Sequence, residues 1–172
     1  MENIIEANPR LCKFGDLRQE IWIPKFKWVS SLSVAADIIN SWHEDYPKYV
    51  KNTESAIEII LNSKIKNILN LYLNSIHAFI FWDKSWSGNF RKSNVIVGNH
   101  LPPRDENIER LMKNLEKTWC GNIKDIASLL AFYSDIETIH PWIDGNGRCG
   151  GTFVAAFSNI FEPEKGYLAA LQ

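Results

Sequence analysis

Apolar residues return at helical spacing over most of the chain, and the breaks in that spacing divide it into elements. The first 30 residues lack such a period. Pro9, Gly15 and Pro24 interrupt any long pattern there, so the stretch reads as irregular. Val34, Ala35, Ile38 and Ile39 then predict a helix over 31–43 opened by a serine cap, and Pro47 closes that segment. Ile57, Ile60 and Leu61 share one side of a second helix at 53–61. The broadest apolar stripe, Ile65, Ile68, Leu69, Tyr72, Ile76, Phe79 and Ile80, predicts a helix over 64–80. The period changes between Gly88 and Gly98, where GNFRKSNVIVG predicts a short extended or hairpin segment. Pro102 and Pro103 stop it, and Asp105 can cap a helix carrying Ile108, Leu111, Met112 and Leu115. Asn122 followed by Asp125 resembles a capping box for a helix over 123–139, with Ile123, Ile126, Ala127, Leu130, Tyr133 and Ile136 inward. That helix runs into His140. A glycine-rich loop follows, and Phe153, Ala156, Phe157 and Ile160 resume the helical period. The pattern as a whole describes a mainly α chain with one small β element.

Composition narrows this picture. At 172 residues the chain suits a single domain, 1–172. Nineteen basic and 20 acidic residues leave a net charge of −1, which argues against nucleic acid or a membrane surface as partner. Three cysteines, Cys12, Cys120 and Cys149, fit no zinc spacing and no disulfide framework. They read as reduced thiols, and with no signal-peptide pattern and no membrane-length apolar run a cytoplasmic location is the default. Seven tryptophans are scattered rather than grouped, and most are assigned to the core.

The chemistry concentrates in His140–Arg148, HPWIDGNGR. Gly145 and Gly147 open backbone angles closed to other residues, and Asn146 tolerates such angles. Successive main-chain N–H groups in such a turn form a nest for anionic oxygens, and the N-terminus of the following helix adds its dipole. Arg148 supplies a planar cation. Asp144 offers a hard oxygen suited to Mg2+ that also touches phosphate. His140 at the other lip can accept a proton near pH 7. Trp142 is expected to anchor the loop in the core. Together these groups suit attack of a hydroxyl on phosphorus. His77 and His100 read as structural.

These residues resemble the Fic (filamentation induced by cAMP) family, whose signature is H-P-F-x-(D/E)-G-N-G-R-x-x-R between two helices. The upstream stretch Gly88-Asn89-Phe90-Arg91, then Val95-Ile96-Val97-Gly98-Asn99-His100 and Pro102-Pro103, is similar to that family's flap segment. The resemblance covers a core of about 64–161, behind an irregular extension at 1–30. It implies a Fic-type helical bundle with a small β-hairpin flap. It also implies a protein adenylyltransferase that moves AMP from ATP to a Tyr, Ser or Thr hydroxyl of a target protein. In that reading His140 is the base and Asp144 holds Mg2+. Gly145, Asn146, Gly147 and Arg148 bind the phosphates, and Arg91, Val95, Ile96, Val97 and Gly98 belong to the target-positioning flap. A regulator or antitoxin is a further candidate partner.

Two positions depart from the signature. Trp142 replaces its Phe, and Gly151 replaces its last Arg, which in the family helps hold the terminal phosphate. Three explanations stay open: a donor without a γ-phosphate or another phosphate-containing group such as UMP or phosphocholine; a substitute cation such as Arg91 or Arg104; or a weakly active binding module. The nearest match to the family's inhibitory helix is Glu54–Ile59. Glu58 is its candidate regulatory residue, but it would find no partner at Gly151, so no standard clamp is expected.

Overall fold

The computed structural model describes residues 4–6, 25–64, 67–98 and 100–171. Trp22, Cys12, Ile65 and most of the N-terminal extension lie outside the described residues. In chain order the elements are β1 (Ile4–Glu6), β2 (Lys25–Val29), α1 (Leu32–Asn40), α2 (Val50–Asn62), α3 (Asn70–Ile80), α4 (Ile108–Trp119), α5 (Ile126–Ile139), α6 (Asn146–Phe161) and β3 (Tyr167–Leu171). The mainly α expectation holds. Among the described residues, no helix is long and apolar enough to cross a membrane.

α6 is the hub. Arg148–Ser158 is buried without interruption, as expected of a helix covered on every side. α1, α2, α3, α5 and β3 all pack against it. Its first turn is therefore fixed in position by most of the domain, which matters because that turn ends the glycine-rich loop.

The β structure differs from expectation. β1, β2 and β3 form an antiparallel sheet in that order, with Lys25 opposite Leu171 and Val29 opposite Tyr167. Two pieces of the extension expected to be irregular, β1 and β2, are thus sheet strands, and the last described residues of the chain complete the sheet. The expected hairpin at 88–98 shrinks to one antiparallel bridge between Val97 and His100. Lys92, Ser93 and Asn94 are exposed and offer no apolar face to bury, so nothing stabilises a longer ladder there.

Helix boundaries also shift. α3 begins at Asn70 because Leu69 is extended, and Leu69 and Phe79 are exposed while Leu73 is buried. α5 begins at Ile126. Its capping box joins Asp125 and Ser128 instead of Asn122 and Asp125, and Ala127 faces solvent. Trp119 and Trp142 are buried, and Trp28 and Trp86 pack against the core. Trp42 and Trp82 are exposed, so most of the described tryptophans, though not all, belong to the core. Cys120 and Cys149 are free thiols.

Candidate active site

The loop begins where α5 stops. His140 takes up a left-handed conformation, φ 52° and ψ 63°, and it is the one described non-glycine residue with positive φ. Such a conformation costs free energy unless its surroundings fix it. Arg91 does so. Its Nε donates to the His140 carbonyl at 2.7 Å, and its terminal nitrogens donate to the carbonyls of Ser93 (2.9 Å), Pro103 (2.6 Å) and Ile139 (3.3 Å). Its main-chain N–H donates to the Pro141 carbonyl at 2.8 Å. A buried guanidinium thus caps the negative end of α5 and ties the flap segment to the loop. With its donors so used, Arg91 is not a spare cation for a phosphate. Arg104, the other candidate substitute, is exposed ahead of α4.

Trp142 anchors the loop as expected. Its ring is fully buried, stacks on His77 at 4.5 Å, and donates through Nε1 to Asn74 at 2.8 Å. Asn146 does something the sequence did not suggest. Its side chain accepts from the Trp142 N–H (3.0 Å) and donates to the Trp142 carbonyl (2.8 Å), so it staples the turn instead of facing a ligand. His77 is structural, and more specifically so than expected. Nδ1 accepts the Gly88 N–H at 2.9 Å, which leaves the ring proton on Nε2 to donate to the Asp144 carbonyl at 2.9 Å. Burial pushes its pKa down to about 4, so the ring stays neutral. His100 is likewise buried, with Nε2 bonded to the Thr138 carbonyl at 3.0 Å.

Gly145 has φ 80°, and a Cβ there would collide with the Phe81 ring. Both angle and space demand glycine. α6 starts directly after it, so the N–H groups of Asn146, Gly147 and Arg148 lie in a first turn that offers them no helical acceptor. These main-chain N–H groups are the ones that could cradle an anion. Asp144 stands exposed beside them, with Oδ1 accepting the Gly145 N–H at 2.7 Å and Oδ2 3.4 Å from Arg148.

Arg148 is buried. It donates to Asp45 at 2.8 Å and lies over the rings of Phe81 (4.7 Å) and Tyr49 (5.6 Å). Sequence reasoning misses Asp45. It sits in the α1–α2 connection among residues that read as solvated, and nothing local links it to an arginine 103 positions away. The His140 ring is half-buried. Its pKa falls to about 4, mainly through burial and then through the Arg91 charge, while the Glu137 carbonyl and Asp144 pull the other way. The His140 imidazole is therefore neutral at physiological pH.

In the flap segment, Ile96, Val97 and Gly98 are exposed and Val95 is half-buried. Glu58 is exposed on α2, and no hydrogen bond or ion pair joins it to the loop among the described residues. Gly151 is buried on the face of α6 turned towards α1 and β3. A Cβ there would lie 3.5 Å from Ile39 and 3.8 Å from Ala170.

The Fic/DOC family model matches residues 67–158. This chain belongs to the Fic/DOC family. Among curated relatives, the protein adenylyltransferase Fic of Drosophila erecta is 37% identical over 91 residues, which is 49% of this chain and 17% of that protein. The chain therefore matches less than a fifth of that relative's length. Among solved structures, a Fic family protein from Desulfovibrio desulfuricans G20 is similar with a TM-score of 0.55 and 21% identity, covering 77% of this chain and 47% of the other. The BepC protein of Bartonella tribocorum, a VirB-translocated effector solved with bound AMPPNP, gives 0.50 and 18%, covering 67% of each chain. At these identities the structures establish a shared Fic fold.

Proposed function

We propose that this Fic chain is a Mg2+-dependent nucleotidyltransferase that moves AMP from ATP onto a Tyr, Ser or Thr hydroxyl of a target protein. The observation that carries the reading is a neutral His140 at one lip of a turn whose other lip is the head of α6, with its N–H groups free of helical acceptors. The imidazole accepts the hydroxyl proton. The hydroxyl oxygen bonds to the α-phosphorus, the bond from that phosphorus to the bridging oxygen breaks, and pyrophosphate leaves. The main-chain N–H groups of Asn146 and Gly147 and the Arg148 guanidinium balance the phosphate charge. The exposed Ile96–Gly98 stretch is suited to lay the target chain alongside His140. Asp144 would hold Mg2+. Its carboxylate fits the ion, because it is exposed beside the cradle and Mg2+ is usually held by one or two carboxylates together with substrate phosphates and water. Bound there, Mg2+ would neutralise phosphate charge.

A second reading keeps the chemistry and changes the donor. Gly151 offers no cation for a terminal phosphate, and Arg91 is occupied by carbonyls, which favours a donor without a γ-phosphate, such as CDP-choline. Purified protein and cell lysate incubated with labelled ATP, UTP, GTP or CDP-choline decide between them. Label from ATP that disappears in His140→Ala is the expected result. His140-dependent label from another donor and not from ATP selects the second reading, and none from any donor overturns both.

A further inference from the structure

The last carbonyls of a helix have no N–H partner within it, and other groups must meet them. At the end of α5 those groups come from the flap segment. His100 donates to the Thr138 carbonyl at 3.0 Å, through Nε2, since a carbonyl can only accept. The Arg91 guanidinium donates to the Ile139 and His140 carbonyls at 3.3 and 2.7 Å, and its main-chain N–H to Pro141 at 2.8 Å. Successive carbonyls from Thr138 to Pro141 are thus met by two residues of one short segment. The Glu137 carbonyl just before them bonds to the His140 ring itself.

The same two residues stand in for the ladder that the flap lacks. Its one bridge joins Val97 and His100 by main-chain bonds of 3.0 and 2.8 Å. Outside the bridge, Arg91 holds the two arms together by donating to the Ser93 carbonyl on one and the Pro103 carbonyl on the other. Ile96 and Val97 are exposed, whereas the His100 side of the bridge is buried against α5. His100 Nδ1 is sealed from solvent and makes no hydrogen bond. Enclosing an imidazole with one nitrogen unmet is costly. An apolar side chain would fill that space without the cost, so the bond to Thr138 is what the histidine adds.

We propose that His100 is a positioning residue, locking the exposed Ile96–Gly98 stretch onto the C-terminal turn of α5 so that the platform for the acceptor chain and the His140 base form one rigid unit. The inference rests on the transferase reading above. It makes the flap a preformed part of the site instead of a hinged cover, since both of its anchors are bonded to the turn that ends in His140.

Two measurements on the whole chain test it. The first is amide hydrogen exchange by NMR, comparing Val97 in the bridge with Val154 within α6. The second is His140-dependent transfer of label from ATP to cell lysate, with lysate and ATP varied separately. His100→Ala is expected to speed exchange at Val97 roughly tenfold, the worth of about one hydrogen bond, and to leave Val154 unchanged. The labelling rate at low lysate concentration is expected to fall by a similar factor, with half-saturation by ATP unaltered. His100→Gln, which keeps an N–H near the Nε2 position, is expected to recover most of both, and it carries the test if the alanine variant does not fold. Unchanged exchange at Val97 or unchanged labelling in a folded His100→Ala protein overturns the proposal and leaves the transferase reading intact. Faster exchange at Val97 and Val154 alike, or loss of the fold in both variants, makes His100 a general structural residue and overturns it too. Absence of label with the wild-type protein overturns the transferase reading and the proposal together.

Discussion

Arg148 shows how a charged residue can be buried and still paired. Its guanidinium is almost wholly enclosed, and Asp45 supplies its shortest ion pair. Removing one partner of a buried pair leaves the other charge uncompensated, so Asp45→Ala is expected to be destabilising. Asp45 itself is about one-third exposed, and water entering the gap would meet part of the loss. About 2 kcal/mol is a reasonable size for a hydrogen bond to a charged group in this setting. For a chain of this length that lowers the thermal midpoint by roughly 4–8 °C. A scanning melt of the variant checks this, and an unchanged midpoint would show that Arg148 is satisfied without Asp45. Arg148 stands out in the sequence as a candidate phosphate cation through its place in the motif. Asp45 is not, because the pairing is made by tertiary packing across two helices.

Among the elements, the local ones can be read and the paired ones cannot. α1, α2, α4, α5 and α6 follow from the apolar period because each buries a stripe whose spacing is written in its own residues. β2 and β3 do not, since KFKWV and YLAAL pair with each other across more than a hundred positions, a pairing that no local period encodes. The Tyr167–Leu171 strand matters to the site because β3 and α1 together cover the Gly151 face of α6. Restoring the signature arginine there tests that packing. Gly151→Ala should be nearly neutral, since its Cβ meets ordinary van der Waals distances. Gly151→Arg must place a long charged side chain between α6, α1 and β3, and overpacking of this kind typically costs about 1–3 kcal/mol. The expected outcome is a lower urea midpoint for Gly151→Arg than for Gly151→Ala, with no gain in ATP-dependent labelling. A stable arginine variant with increased labelling would mean that α1 yields readily and the site is more conventional than its packing indicates.

At the scale of the whole molecule, the enclosed titratable groups set a pH optimum for stability. His77 and His140 both have folded pKa values near 4, against 6.5 when free. Between those values the unfolded chain takes up protons that the folded chain refuses, so their effect is to raise stability as pH rises from about 4 to 6.5. Glu137 acts in the opposite sense. Enclosure of its carboxyl raises the pKa from 4.5 to about 8, and the sealed Oε1 has no hydrogen-bond partner among the described residues. Between 4.5 and 8 the folded chain keeps a proton that the unfolded chain has lost, so this contribution is present at low pH and falls away as pH rises. Two histidines outweigh one glutamate below about pH 6.5, and the glutamate acts alone above it. Stability is therefore expected to peak near pH 6.5 and decline towards pH 8. Glu137→Gln removes the ionisation and should flatten the alkaline side while leaving the acid side in place. Urea denaturation at intervals from about pH 4.5 to 8.5 measures both limbs. An alkaline decline that persists unchanged in Glu137→Gln would assign that limb to some other group. If the decline disappears, the carboxyl one turn before His140 remains protonated at neutral pH, and the imidazole then has a neutral neighbour instead of a negative charge.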